Sequence, residues 1–249
     1  MLTQFECSRF ENESQQFFDM MAGHARHPSK GPIVKNVTRL ILMVTTGIAT
    51  AADSSAHFKM LAPTPWVVTD DLGDPQKVGP CGGDPKGGHE LSKAVTKVTG
   101  GSKLQLKIQE TIFHSGHYRV SLAVNSRTEL PPDPYTVEKW TERGLYSVWG
   151  QIQSPPQIPV LADGLFQHYN KQGEPASARP KTPMAPWETD IELPNINCAK
   201  CTLQVIQFMA DHVYNQPGGY AYHQCADLEI TADPAKPIDT RWPTATTTK

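Results

Sequence analysis

The chain has 249 residues and a formal net charge of −2, with 19% charged and 38% hydrophobic residues. That balance lacks the basic footprint of a nucleic-acid-binding protein and supplies enough apolar residues for one ordinary core. Strand signals are frequent and helical periodicity is scarce, so an all-helical bundle is excluded as well.

In chain order, residues 1–34 are polar, mixed in charge and aperiodic; they read as an extended leader or an upstream start, with Met20 or Met21 as alternative starts. Lys35 and Arg39 then precede the apolar run Leu40-Ile41-Leu42-Met43-Val44 through Ile48-Ala49, and small residues end in Ser54-Ser55-Ala56. This is the order of a secretory signal with a small-x-small cut after Ala56. The apolar run is shorter than the roughly 20 residues a spanning helix needs, and no cysteine follows it to carry a lipid. The competing reading is a short buried or interfacial helix over 36–52 of an intracellular protein. A cut after Ala56 predicts a secreted or periplasmic chain beginning at His57. The domains are then a leader and signal over 1–56, a folded domain over 57–233, and a Pro- and Thr-rich tail over 234–249 that is expected to be disordered.

Within the folded domain, Leu104, Leu106 and Ile108 alternate with Lys103, Gln105 and Lys107, the pattern of a half-buried strand after the Gly100-Gly101 turn. Tyr118, Val120, Leu122 and Val124 alternate in the same way. The segment between them, Phe113-His114-Ser115-Gly116-His117, contains a glycine suited to a bulge or tight turn. Residues 126–187 are rich in proline and carry Trp140, Trp149 and Trp187; they predict a long insertion packed on one side, with a short helix near Val137–Arg143. Thr202 to Met209 and Tyr220 to Ile230 are strand-length runs joined by Gln216-Pro217-Gly218-Gly219, an antiparallel hairpin. The spacing predicts an all-β fold, an immunoglobulin- or fibronectin-like antiparallel sandwich. Loss of the leader removes Cys7, and the four remaining cysteines (Cys81, Cys198, Cys201, Cys225) predict two disulfides.

Candidate chemistry centres on histidine. At a mature N-terminus His57 presents an α-amine and an imidazole from one residue, and a second imidazole completes a three-nitrogen site suited to Cu(II). The amine titrates near pH 7.7–8.0 in the unperturbed state, so its proton is easily displaced by the metal. His114 and His117 are the candidates for the second imidazole.

Three islands carry a resemblance. They are the small residue, cut and His57 followed by Ala62-Pro63-Thr64-Pro65-Trp66; His114-Ser115-Gly116-His117-Tyr118; and Cys198-Ala199-Lys200-Cys201 with Tyr222-His223-Gln224-Cys225-Ala226-Asp227-Leu228. Together they resemble the lytic polysaccharide monooxygenases and their chitin-binding type-4 relatives, in a bacterial polysaccharide monooxygenase-like branch. The resemblance selects His114, four residues before Tyr118, and implies one copper per chain held by His57 and His114, with Tyr222 on its axial side. It implies Cys81–Cys225, leaving Cys198–Cys201; Cys81–Cys198 with Cys201–Cys225 is the alternative. His117 is expected to stand behind the ligands or at the surface, with a role as ligand as the alternative. Where branches with an axial tyrosine often carry glutamine, this chain has Tyr220, so the group that handles oxygen is unassigned, with Gln224 and Glu110 as candidates.

The function so implied is oxidative cleavage of a chitin- or cellulose-like polysaccharide by a copper-dependent oxidoreductase. The expected protein is a monomer with an unidentified electron donor, no nucleic-acid partner, and no membrane attachment after signal cleavage. The competing functions are copper capture or transfer, a non-redox carbohydrate-binding module, and a disulfide-stabilised sandwich with incidental histidines.

Overall fold

The computed structural model describes residues 57–84, 86–142, 144–169, 182–216 and 218–245. The expected leader, signal and cut lie outside the described residues. Contacts divide the chain into Met1–Thr50 and Ala51–Lys249, and all that follows concerns the second unit.

The fold is all-β. A three-stranded sheet has the order β1 (His57–Ala62), β3 (Lys103–Ile112), β8 (Trp187–Glu192). A five-stranded sheet has the order β2 (Val95–Thr99), β10 (Ala221–Thr231), β9 (Cys198–Met209), β4 (Gly116–Ala123), β7 (Val160–His168). The expected hairpin is β9–β10, in antiparallel register from Ala221↔Phe208 to Asp227↔Thr202. At the edge, β2 runs parallel to β10.

Alternation explains the packing. Leu104, Leu106 and Ile108 of β3 and Phe58 and Met60 of β1 meet Tyr118, Val120, Leu122, Leu203, Val205, Ala226 and Leu228 of the larger sheet in one buried cluster. Each fully buried Leu or Ile of that cluster contributes roughly 1.5–3 kcal/mol by leaving water. The two sheets therefore form a sandwich. β4 is buried along its whole length, because its polar face is covered too: Arg119 donates to the Pro132 carbonyl at 2.7 Å in the proline-rich region.

Three expectations are corrected. The segment near Val137–Arg143 is not helical; β5 (Thr136–Thr141) pairs with β6 (Gly144–Gly150) in a separate hairpin. Mixed polar and aromatic residues on an exposed two-stranded ribbon leave no clear period of two. The 126–187 region is not wholly an insertion, since its β7 pairs with β4 as an edge of the main sheet. The tail is docked through its described part, to residue 245: Trp242 lies in the core, and the Asn195 side-chain amide donates to the carbonyls of Asp233, Lys236 and Pro237 at 3.0–3.1 Å.

Both disulfides form the pairs Cys81–Cys225 and Cys198–Cys201. Among the described residues no helix is long and apolar enough to cross a membrane.

Candidate metal centre

The site is assembled at one end of the sandwich, where β1 begins and the β3–β4 connection crosses between sheets. His57 stands opposite Ile112 of β3, and the register shifts between His57 and Phe58. That irregularity lets two consecutive side chains face inward: Phe58 enters the core and His57 is 4% exposed.

β1 is locked to β10 by one side chain. Gln224 accepts from the Met60 N–H at 2.9 Å and donates to the carbonyls of Phe58 at 2.7 Å and Gly73 at 3.2 Å. Its amide is thus spent on backbone, and Gln224 is a clamp under β1. The loop over β1 is shaped by Asp70, whose Oδ1 accepts from the N–H groups of Leu72, Gly73 and Asp74 at 2.8–3.0 Å. At Gly73 a Cβ would lie 2.0 Å from the Phe58 carbonyl oxygen, at φ +105°, so only glycine fits.

This loop delivers Asp74 to His57. Nε2 of His57 donates to Oδ2 of Asp74 at 2.8 Å, and that bond holds the Asp74 carboxyl below its ordinary range despite partial burial. With Nε2 as the donor, Nδ1 of the neutral ring carries the lone pair; it is buried and has no hydrogen-bond partner among the described residues. The ring of Tyr222, 1% exposed, meets His57 edge-on at 5.2 Å.

His114 lies in the turn between β3 and β4 and is 5% exposed. Its Nδ1 donates to the Ser115 carbonyl at 3.1 Å, and its own carbonyl accepts from Nε2 of His168 at 2.5 Å. Beside it, Glu110 is buried and accepts from Tyr118 Oη at 2.9 Å, Gln207 Nε2 at 2.7 Å and His168 Nε2 at 3.1 Å. Burial opposes charge on His168, but Glu110 and the two carbonyls outweigh it and raise its pKa. Burial, then Glu110, push the Tyr118 phenol well up.

The remaining candidates lie elsewhere. His117 is fully buried against Phe208, 3.8 Å from Asp163, and burial lowers its pKa to about 4. Tyr220 packs with Phe208 and Ala210, its ring 5.5 Å from Tyr214; burial and Glu138 raise its phenol. Three residues at the site were not singled out from sequence. Asp74, His168 and His212, whose ring centroid is 5.0 Å from that of His114, are far from their partners along the chain, and single residues in loops or at a strand end, where His168 closes β7, carry no periodic signal. The Cys81–Cys225 bridge, beside Gln224, was the one available hint that the 70–82 segment returns to β10.

Among the described residues no group of three or more His, Cys, Asp or Glu side chains is placed to hold a metal ion. A site built from two imidazoles and an α-amine does not require one.

No family model matches the chain. No curated protein matches it. A solved chitin binding domain from Burkholderia pseudomallei is similar in structure at a TM-score of 0.40 and 12% sequence identity, over 71% of this chain and 100% of that one.

Proposed function

We propose that the chain is an exported mononuclear copper protein, processed to begin at His57, that cleaves a polysaccharide oxidatively. The observation that supports this most is the state of two buried rings. Nε2 of His57 is tied to Asp74 and its Nδ1 is left with a lone pair. Nδ1 of His114 is tied to a carbonyl, so its lone pair is on Nε2. Metal-bound histidines are oriented in this way, with the non-ligating nitrogen donating to a carboxylate or carbonyl. Nδ1 of His57 and a freed α-amine on the same residue form a chelate.

When bound, copper supplies redox chemistry with oxygen or peroxide. The chain's own residues hold and shape the centre. Gln224 fixes β1, Asp74 orients His57, and Tyr222 closes one side with a buried ring. Glu110, hydrogen-bonded through Oε1, keeps Oε2 buried without a partner among the described residues and is linked to the His114 carbonyl through Nε2 of His168. Tyr135, Trp140, Trp149 and Tyr214 are exposed, and the β5–β6 hairpin bearing two of them is bonded to the His212 backbone. They suit stacking against sugar rings. Trp66, Trp187 and Trp242 serve packing instead.

One observation favours copper capture or transfer as the second reading: His57, His114 and Tyr222 are all nearly inaccessible, whereas attack on a solid polymer needs an open face. The deciding experiment is Cu(II) titration with electron paramagnetic resonance on protein beginning at His57, with an Ala56-retaining form and His114→Ala as controls. A single tetragonal site lost in both controls is expected, and oxidised sugars on chitin or cellulose separate the two readings. Weak binding indifferent to both controls overturns them together.

A further inference from the structure

The end of the sandwich away from His57 carries a cleft. β4 begins just after the His114 turn and ends at Ala123, so Val124 and Asn125 mark the opposite end, as does Cys198 at the start of β9. There a cleft of about 590 Å³ opens between these residues and the C-terminal segment, lined by Ile196, Ile238 and Trp242 among others. Small-molecule sites span roughly 300–1,000 Å³ and combine apolar walls with a few placed polar groups.

Both walls are held from behind. The Asn195 amide grips the carbonyls of Asp233, Lys236 and Pro237, and Trp242 sits in the core, so the C-terminal wall is anchored on each side of Ile238. The Cys198–Cys201 bridge pins the facing wall. A cleft formed in advance spares a ligand the cost of ordering the protein.

The polar lining has a definite sense. Its charged residues are Lys200 and Asp239. Asp239 is already satisfied: Oδ1 accepts from Nε of Arg241 at 2.8 Å and Oδ2 from Nη2 at 2.7 Å. Lys200 makes no ion pair among the described residues, so its charge is the uncompensated one. Asn197 accepts from the Ala232 N–H at 2.9 Å through Oδ1, which leaves its NH2 group for the cleft. An ammonium and an amide NH2 only donate, and a carboxylate only accepts. The hydroxyls of Thr240 and Thr244, also in the lining, serve either role.

We propose that this cleft binds one small amphipathic carboxylate, its apolar body against Ile196, Ile238 and Trp242 and its anionic head at Lys200 and Asn197. The site requires neither a metal nor a cut after Ala56, so it stands apart from the copper reading.

The test uses the full chain without added metal. Decanoate and decanol, equal in chain length, are titrated by calorimetry at concentrations where neither aggregates, and ¹H–¹⁵N spectra follow the Trp242 indole N–H. Decanoate is expected to bind at a single site and to shift that resonance, with decanol weaker by about five-fold or more. Lys200→Gln should weaken decanoate by a similar factor and leave decanol unchanged, whereas Ile238→Ser should weaken both. Lys200 and Ile238 are solvent-exposed, so neither substitution opens the core. Equal affinity for the two probes, or decanoate binding indifferent to Lys200→Gln, overturns the carboxylate assignment. No saturable decanoate binding, or shifts confined to residues outside the cleft, overturns the site itself. The comparison of probes on the native chain needs no substitution and decides even if a variant fails to fold.

Discussion

Asp74 and His57 are joined by a 2.8 Å hydrogen bond although neither belongs to the other's strand or turn. Asp70 and Gly73 shape the loop that carries the carboxylate, while β3 and Gln224 hold the strand that carries the imidazole. Gln224 bonds to both pieces, to Phe58 and Met60 of the strand and to Gly73 of the loop, so the bond reports whether that shared clamp holds the two in register.

Asp74→Asn keeps an acceptor but removes its charge. Copper affinity of protein beginning at His57 is expected to fall 10–100-fold, with a tetragonal spectrum retained. The Asp70 turn does not use the Asp74 side chain, so the thermal midpoint of the metal-free variant should change little. An unchanged affinity would remove Asp74 from the centre.

Gln224→Ala deletes three buried bonds to backbone and strands the Met60 N–H. A loss of about 2–4 kcal/mol is expected, read from urea unfolding. Gln224→Met fills the space but satisfies none of the backbone groups, so it should recover only a small part of the loss.

The two disulfides differ in the loops they close. Cys81–Cys225 spans 144 residues and Cys198–Cys201 spans 3. Loop-closure entropy assigns roughly 5 kcal/mol to the first and roughly 2 kcal/mol to the second. Paired Cys→Ser variants, compared by urea midpoint, should fall in that order.

His117 makes folding sensitive to acid. Its pKa is lowered to about 4 by burial, against about 6.5 in the unfolded chain. Above pH 6.5 both states are neutral and the residue has no pH effect. Between pH 6.5 and 4 the unfolded state binds the extra proton, so stability falls with acid, by roughly 3 kcal/mol at saturation. His168 has a raised pKa and works in the opposite direction, with its contribution lost as pH rises. Unfolding free energies should therefore depend less steeply on pH between 6.5 and 4 in His117→Gln than in the parent.

The strands that were legible in the sequence are those whose two faces differ in chemistry. In β3, lysine and glutamine alternate with leucine and isoleucine, and one face is solvated. β4 was readable for the same reason, although its polar face is also buried, whereas β9 and β10 were readable as strand-length runs joined by the Gln216-Pro217-Gly218-Gly219 turn. The β5–β6 hairpin was missed because Trp140 and Val137 are exposed, so hydrophobicity there does not mark a core. The docked tail was missed because Asn195, which binds it, looks like an ordinary loop residue. Of the candidate residues, His57 was singled out by the signal-like cut before it and His114 and Tyr222 by the resemblance, whereas Asp74 owes its position to long-range packing, which sequence does not display.

The Gln224 clamp joins the first strand of the domain to the last. Ribosomal synthesis delivers β1 some 160 residues before its seat in β10 exists, so the His57 end cannot be completed by a nascent or truncated chain. Completion of the His57 end is thereby a checkpoint on whole-chain synthesis: a chain lacking its last strand would keep β1 paired with β3 but would leave the Met60 N–H and the Phe58 carbonyl without the side chain that clamps them.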